Sequence, residues 1–155
     1  MATVVIYVGS KSDVAAFRPA LDVLDRFGVS YEPHIVSAHR APERLRALVR
    51  DADGTGTRVY IAAAGLAAAL PGAVAALTHR PVIGLPLAAG ALNGIDSLLS
   101  IAQMPPGVPV ATVGINAAAN AAYLAVQILA TTDAELATRF ASWREEQSSR
   151  VDRFE

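Results

Sequence analysis

Two periodicities take turns along the chain. "TVVIYVG" (3–9) is an unbroken β-branched run, the pattern of a strand buried on both faces. From Asp13 the pattern changes. Val14, Phe17, Leu21, Leu24 and Phe27 recur at spacings of three and four, which predicts a helix that Gly28 ends. "SYEPHIVS" (30–37) predicts a second strand, with Pro33 in its early, less paired part because proline cannot donate to a ladder. Residues 41–53 predict a helix with Pro42 near its first position and Leu45, Leu48 and Val49 on its inner face. The alternation continues with a strand over 58–65, an alanine-rich helix over 67–78 and a strand over 81–87. A helix over 94–104 capped by Asp96 follows, then a strand over 108–115. Helices over 117–130 and 133–150 finish the chain, the last with Leu136, Phe140 and Trp143 on one face.

Strands that alternate with helices imply a parallel sheet covered on both sides. The expected fold is α/β, a three-layer αβα arrangement with a five-stranded parallel, flavodoxin-like sheet and an extra C-terminal helix. No linker, repeat or low-complexity tract divides the sequence, so one domain over 1–155 is expected. A chain of 155 residues is long enough for one core that buries roughly 70% of the unfolded surface.

Composition adds a further expectation. Hydrophobic residues make up 53% and charged residues only 17%, against about 25% charged in typical soluble domains. Either a membrane or subunit interfaces would account for this. No run approaches the ~18 apolar residues of a membrane span, and "VYIAAAGLAAALPGAVAAL" (59–77) is broken by Gly65, Pro71 and Gly72. An oligomer is therefore expected, with no membrane partner. The net charge of −1 without a basic cluster argues against nucleic acid. No cysteine is present, and no His/Asp/Glu set has ligand spacing, so no metal site is expected. The amino terminus has neither a basic n-region nor a cleavage site, which makes the cytoplasm the expected setting.

In open parallel sheets, ligands bind outside the carboxyl ends of the strands. The loops to examine are therefore 9–13, 37–40, 64–72, 86–94 and 114–120. "GSKSD" (9–13) places Gly9, Ser10, Ser12 and Asp13 between a strand and a helix start. Backbone N–H groups there attract anions, and the two hydroxyls add donors. Asp13 can cap the helix or accept from a ribose hydroxyl, and an ordinary capping turn explains the motif equally well. The chain has neither a Walker loop nor G-x-G-x-x-G.

"SAHR" (37–40) is either a polar turn in which His39 caps the next helix or a catalytic loop. Imidazole suits proton transfer near neutral pH, and Arg40 can hold a phosphate or carboxylate bidentately. His34, inside a strand, and His79, in "THRP", are weaker candidates. "AGLAAALPG" (64–72) offers backbone and small side chains, allowing a ligand close to the main chain, but no titratable group.

"GSKSD", "SAHRAP", "ALPG", "GIDSLLSIAQMPPGVPVATV" and "NAAYLAVQILA", in this order, resemble the purine-biosynthetic family of N5-carboxyaminoimidazole ribonucleotide mutases and aminoimidazole ribonucleotide carboxylases. The likeness runs over nearly the whole chain. It implies a flavodoxin-like subunit in a cytoplasmic homo-octamer, an aminoimidazole ribonucleotide substrate together with CO₂, and no metal or organic cofactor. By this resemblance His39 is the general acid/base. Ser10, Ser12, Asp13 and Arg40 match positions that bind phosphate and ribose. Gly65, Leu66, Ala69 and Leu70 belong to the loop over the base and CO₂ pocket, and Gly9, Ser37 and Ala38 complete the substrate-binding set. The segment around 96–104 matches one that a neighbouring subunit contributes.

Two loops depart from the family pattern. Mutases read close to "GAGGAAHLPG" where this chain has "AAAGLAAALPG" (62–72), so Ala69 replaces a second histidine and Leu66 a glycine. The direct carboxylases carry an "AGRSNxL"-like loop of the same length, whose Arg-Ser-Asn is replaced here by Leu66, Ala67 and Ala68. "VGINAAANAA" (113–122) is shorter than the mutase turn, while Arg40 is mutase-like where the carboxylases have lysine. Mutase action, direct carboxylation and ribonucleotide binding without turnover are all compatible with the sequence. A phosphoacceptor receiver domain is not, because Ala64-Gly65 stands where strand three would need an acid.

Overall fold

The computed structural model describes residues 2–149. Its elements are β1 (Val4–Val8), α1 (Val14–Arg26), β2 (Tyr31–Ile35), α2 (Pro42–Gly54), β3 (Val59–Gly65), α3 (Leu70–Ala75), β4 (Val82–Leu87), α4 (Ile95–Ala102), β5 (Ala111–Thr112), α5 (Ala118–Ala130) and α6 (Ala134–Ser148). A 3₁₀ turn, Lys11–Asp13, leads into α1. The strands form one sheet in the order β2-β1-β3-β4-β5, with every pairing parallel. This is the flavodoxin-like order, which places a topological switch point between β1 and β3.

The period-two alternation of the buried strands divides the core into two layers. Val4, Ile6 and Val8 of β1 join Ile61, Leu85, Phe17 and the buried alanines of α5 on one face. Val5 and Tyr7 join Tyr60, Leu45, Val49 and Ile101 on the other. Helices α1, α5 and α6 therefore cover the first face, and α2, α3 and α4 the second. The alanine stripe Ala118, Ala121, Ala122 and Ala125 is fully buried, bringing α5 down closely on the sheet. Phe27, Tyr123, Phe140 and Trp143 form an aromatic cluster that attaches α6 to this layer, with the Tyr123 and Trp143 rings stacked at 4.3 Å. Among the described residues no helix is long and apolar enough to cross a membrane.

Several expected boundaries move, each for a local reason. The strand expected over 108–115 is reduced to Ala111–Thr112: Pro109 has no N–H to donate at its start, and past Thr112 the N–H groups of Val113 and Asn116 still reach β4 without a regular strand between them. The helix expected from 67 begins at Leu70, because Leu66 and Ala68 have φ of 54° and 35° and cannot be helical. Asp96 does not cap α4. The cap residue is Gly94, and the Asp96 carboxylate accepts instead from the Ser97 N–H at 2.9 Å. Pro33 sits in the middle of β2, which tolerates it because β2 pairs only with β1. Gly28, with φ 65°, ends α1 as expected, its N–H donating to the Asp25 carbonyl. The last expected residue of α6, 150, lies outside the described residues.

On the α2/α3 side, Tyr60 donates its hydroxyl to Asp53 Oδ1 at 2.6 Å, and Thr78 donates to the same oxygen at 2.9 Å. Tyr7 stacks on Tyr60 at 5.9 Å. Burial, and then the hydrogen bond to Asp53, raises the Tyr60 phenol above its ordinary pKa of 10.0. Burial, with the charge of Glu32 next, raises Tyr7 in the same direction. Both phenols ionise more readily in the unfolded chain, so their contribution is complete below about pH 10 and declines above it. Urea unfolding followed across this range should show a midpoint that falls as pH rises through 10, and Tyr7→Phe should flatten that fall.

Of the strand glycines, Gly84 is the more tightly packed. A Cβ there would meet Ile101 Cγ2 at 2.3 Å and Val110 Cγ1 at 2.7 Å. Overpacking of this kind costs about 1–3 kcal/mol. Gly84→Ala is therefore expected to lower the urea-derived stability by about that amount.

Candidate active site

Three loops that follow strands converge at the switch point. After β1, Gly9 continues the ladder by donating to the Ala63 carbonyl at 3.3 Å, and the chain then turns through Ser10 into the 3₁₀ segment. Ser10 Oγ and Ser12 Oγ are 2.6 Å apart, and Ser12 Oγ donates to Asp13 Oδ1 at 3.4 Å. Asp13 occupies the cap position of α1 without making a side-chain cap bond. Its carboxylate lies over Gly9 instead, with Oδ2 3.5 Å from where a Cβ of that glycine would stand.

After β2, Val36 donates to the Val8 carbonyl at 2.9 Å, fixing where the next turn leaves the sheet. Ser37 Oγ accepts from the Arg40 N–H at 3.2 Å and its carbonyl accepts from the Ala41 N–H at 2.9 Å. Ser37 thus closes the turn, leaving His39 and Arg40 exposed at its tip. The cap of α2 is Ala41, with no side-chain bond, so His39 does not serve as a cap. Among the described residues the side chains of His39 and Arg40 enter no hydrogen bond or ion pair. Arg40 thus carries a guanidinium without an ion-pair partner on the same turn as the His39 imidazole.

After β3, the chain crosses Gly65–Ala69 in a conformation that side chains resist. Leu66 and Ala68 both have positive φ, and a non-glycine residue in that region costs roughly 1–2 kcal/mol. The turn is held by Ala68 donating to the Gly65 carbonyl at 3.1 Å, with Ala68 and Leu70 buried beneath it. Leu66 stays 53% exposed, and its Cδ2 lies 2.8 Å from where a Gly90 Cβ would stand.

Together the loops enclose a cleft of about 300 Å³. Gly9, Ser10, Ser12, Asp13, Ser37, Ala38, His39, Arg40, Gly65, Leu66, Ala69 and Leu70 all line it, so every expected site residue borders one space. Ala64, Ala67, Ala68 and Ala89 line it as well. The turns after β1 and β2 bring hydroxyls, a carboxylate, a guanidinium and the His39 imidazole to the cleft, and the loop after β3 brings alanine and leucine. His34 is elsewhere, paired with Glu32 at 3.0 Å and packed against Tyr7. No group of three or more residues suited to a metal ion occurs among the described residues.

A family model described as AIR carboxylase matches residues 3–150. The chain belongs to the AIR carboxylase family. A protein of Pyrococcus abyssi (strain GE5 / Orsay) named N5-carboxyaminoimidazole ribonucleotide mutase is 53% identical over 146 residues, covering 94% of this chain and 84% of the relative. A protein of Vigna aconitifolia named phosphoribosylaminoimidazole carboxylase, chloroplastic, is 48% identical over 144 residues, which are 93% of this chain and 26% of that protein. The crystal structure of Treponema denticola PurE superposes with a TM-score of 0.88 at 30% identity, covering 95% of this chain and 92% of that one.

Ala64, Ala67, Ala68 and Ala89 line the cleft outside the expected set, and Ala89 is the one contributed by the loop after β4. It lies in the 86–94 loop, and a Cβ on Gly65 would come within 3.1 Å of its own. The absence of a side chain at Gly65 is the signal that another loop packs there. The strained loop also permits a test of its backbone. Leu66→Gly should raise stability by about 0.5–1 kcal/mol in urea unfolding, because relief of the left-handed strain exceeds the entropic cost of glycine.

Proposed function

We propose that this chain is an N5-carboxyaminoimidazole ribonucleotide mutase, moving a carboxylate from the exocyclic nitrogen of the imidazole to ring carbon C4 in purine biosynthesis. The observation that carries this reading is the lining of the cleft: polar, anion-suited turns after β1 and β2 and an alanine-rich loop after β3, with His39 and Arg40 unpaired on the turn after β2. The names of the Pyrococcus abyssi relative and its high coverage support it.

In this reading Ser10, Ser12, Asp13 and Arg40 hold the ribose and its 5′-phosphate. Arg40 supplies a bidentate, permanently charged fork, and the first-turn N–H groups of the α1 approach add donors. The N–C bond to the carboxylate breaks and CO₂ is released against the apolar loop. CO₂ offers no charge to grip, so confinement by shape takes the place of binding, and proximity supplies much of the rate. C4 then attacks CO₂, the new C–C bond forms, and the C4 proton is carried by His39 to the nitrogen that lost its carboxylate. Atoms and charge balance with no added reactant.

The same reading gives a homo-octamer in the cytoplasm, with subunits meeting at the site. Leu92, Ile95 and Leu99 support a subunit contact there, because they stand half or more exposed along α4 and the turn before it. Direct carboxylation is the second reading. The apolar 65–70 loop suits free CO₂ as a substrate, and the Vigna aconitifolia relative is named a carboxylase.

Steady-state turnover with N5-carboxyaminoimidazole ribonucleotide, and separately with aminoimidazole ribonucleotide plus CO₂, distinguishes the two. Mutase action predicts turnover of the first substrate. Turnover confined to the second would make the chain a carboxylase, and binding without turnover would make it a binding protein. His39→Asn is expected to lower kcat by about 10²–10⁴-fold, while calorimetry shows ribonucleotide affinity little changed.

A further inference from the structure

The β4–β5 ladder does not stop where β5 ends. Beyond Thr112, Val113 donates its N–H to the Gly84 carbonyl at 3.1 Å. Asn116 then donates its N–H to the Pro86 carbonyl at 2.9 Å. Finally the Asn116 side chain accepts, through Oδ1, from the Ala88 N–H at 2.9 Å. These bonds fall on alternate residues of β4 and its extension, as rungs of a parallel ladder would. The last rung is made by a side chain standing in for a strand carbonyl.

We propose that Asn116 is a positioning residue, a latch that fixes the loop after β4 as the wall of the cleft against the apolar 65–70 loop. The inference rests on the mutase reading above and adds to it a residue that touches no part of the cleft. The chain of contact is short. Ala88 is followed by Ala89, which lines the cleft and packs within 3.1 Å of where a Gly65 Cβ would stand. Gly90 follows, where a Cβ would meet Leu66 Cδ2 at 2.8 Å. The loop carrying Asn116 is itself pressed against this segment, since a Cβ on Gly94 would meet Ile115 Cγ2 at 2.6 Å and Ala88 Cα at 3.2 Å. Ser97 holds the neighbouring residue from the other side, its buried hydroxyl lying 3.0 Å from the Leu87 carbonyl and 2.9 Å from that of Gly94. Asn116 is thus the fastening on the β5 side and Ser97 the fastening on the α4 side.

The position demands two properties at once. Its φ of 58° lies in the left-handed region, which asparagine and aspartate enter more readily than other side chains. The Ala88 N–H needs an acceptor at that distance. Glycine meets the first requirement alone and aspartate meets both. Leu66 and Ala68 make the facing loop expensive to hold, and strained loops persist only where their surroundings over-determine them. Removing one support on the Ala89–Gly90 side loosens the wall against which that loop closes. If this wall confines CO₂, loosening it lets CO₂ escape before C4 attacks, and aminoimidazole ribonucleotide leaves as a by-product.

The test compares Asn116→Gly and Asn116→Asp with wild type. Amide exchange at Ala88 reports on the latch, and product partition from N5-carboxyaminoimidazole ribonucleotide reports on the wall. Asn116→Gly should exchange the Ala88 amide about tenfold faster and lower kcat about three- to tenfold. It should also release a larger share of decarboxylated product, while KM stays near wild type because the phosphate-holding turns are untouched. Asn116→Asp should recover most of the exchange protection and most of the partition. A wild-type exchange rate in Asn116→Gly would overturn the latch. Faster exchange with unchanged kcat and partition would overturn its role in the reaction while leaving the mutase reading intact. Wild-type protein that fails to turn over the substrate would remove the mutase reading, and the exchange arm would still decide whether Asn116 fastens the loop.

Discussion

Parallel pairing is the constraint on which the rest of this molecule depends. Every strand must be joined to its neighbour by a crossover, and the order β2-β1-β3-β4-β5 reverses direction at β1. The chain leaving β1 therefore goes to one face of the sheet and the chain leaving β3 to the other. A crevice opens between them whatever residues the loops contain. The core makes this arrangement rigid, because β1, β3 and β4 are buried on both faces and have no polar side to slip toward. Side chains in the crevice are held by a frame that took no part in choosing them.

The two sides of that frame are built differently, and the site reflects it. The turns after β1 and β2 are closed by hydroxyls and main chain, with Ser37 bonding inward so that its neighbours face outward. The turn after β3 is closed by small side chains in backbone conformations that favour glycine. Polarity thus accumulates on one side and strain on the other. A reaction that needs a held anion next to a confined neutral gas suits this division.

Most of this arrangement was legible in the sequence. Unbroken β-branched runs identified the central strands, and alternation with helical periods required a parallel sheet. The loops that follow such strands were then the places to look, which is why residues from Gly9 to Leu70 meet around one cleft. Features that depend on distant partners were not legible. The loops 86–94 and 114–120 are among those expected at the strand ends, but nothing local distinguishes Ala89 or Asn116 within them, since their contacts are made by loops far apart in sequence. "VPVATVGI" has strand propensity throughout, but Pro109 gives no N–H at its start, and only the pairing with β4 decides where the strand ends. Asp96 has the right identity for a cap but stands two residues too late, after a glycine whose left-handed conformation starts the helix without it. The apolar composition drew attention to interfaces, and part of the alanine proves to lie inside, under α5.

Both margins of the sheet carry prolines. Pro33 lies in β2 at one margin, and Pro105, Pro106 and Pro109 lead into the short β5 at the other. Such margins present few free N–H groups in register, so another sheet finds little to continue. Copies of this chain are thereby discouraged from joining strand to strand into an open-ended ribbon. The faces left for meeting are helical ones, where contact is made by side-chain shape and can close on itself with a definite symmetry.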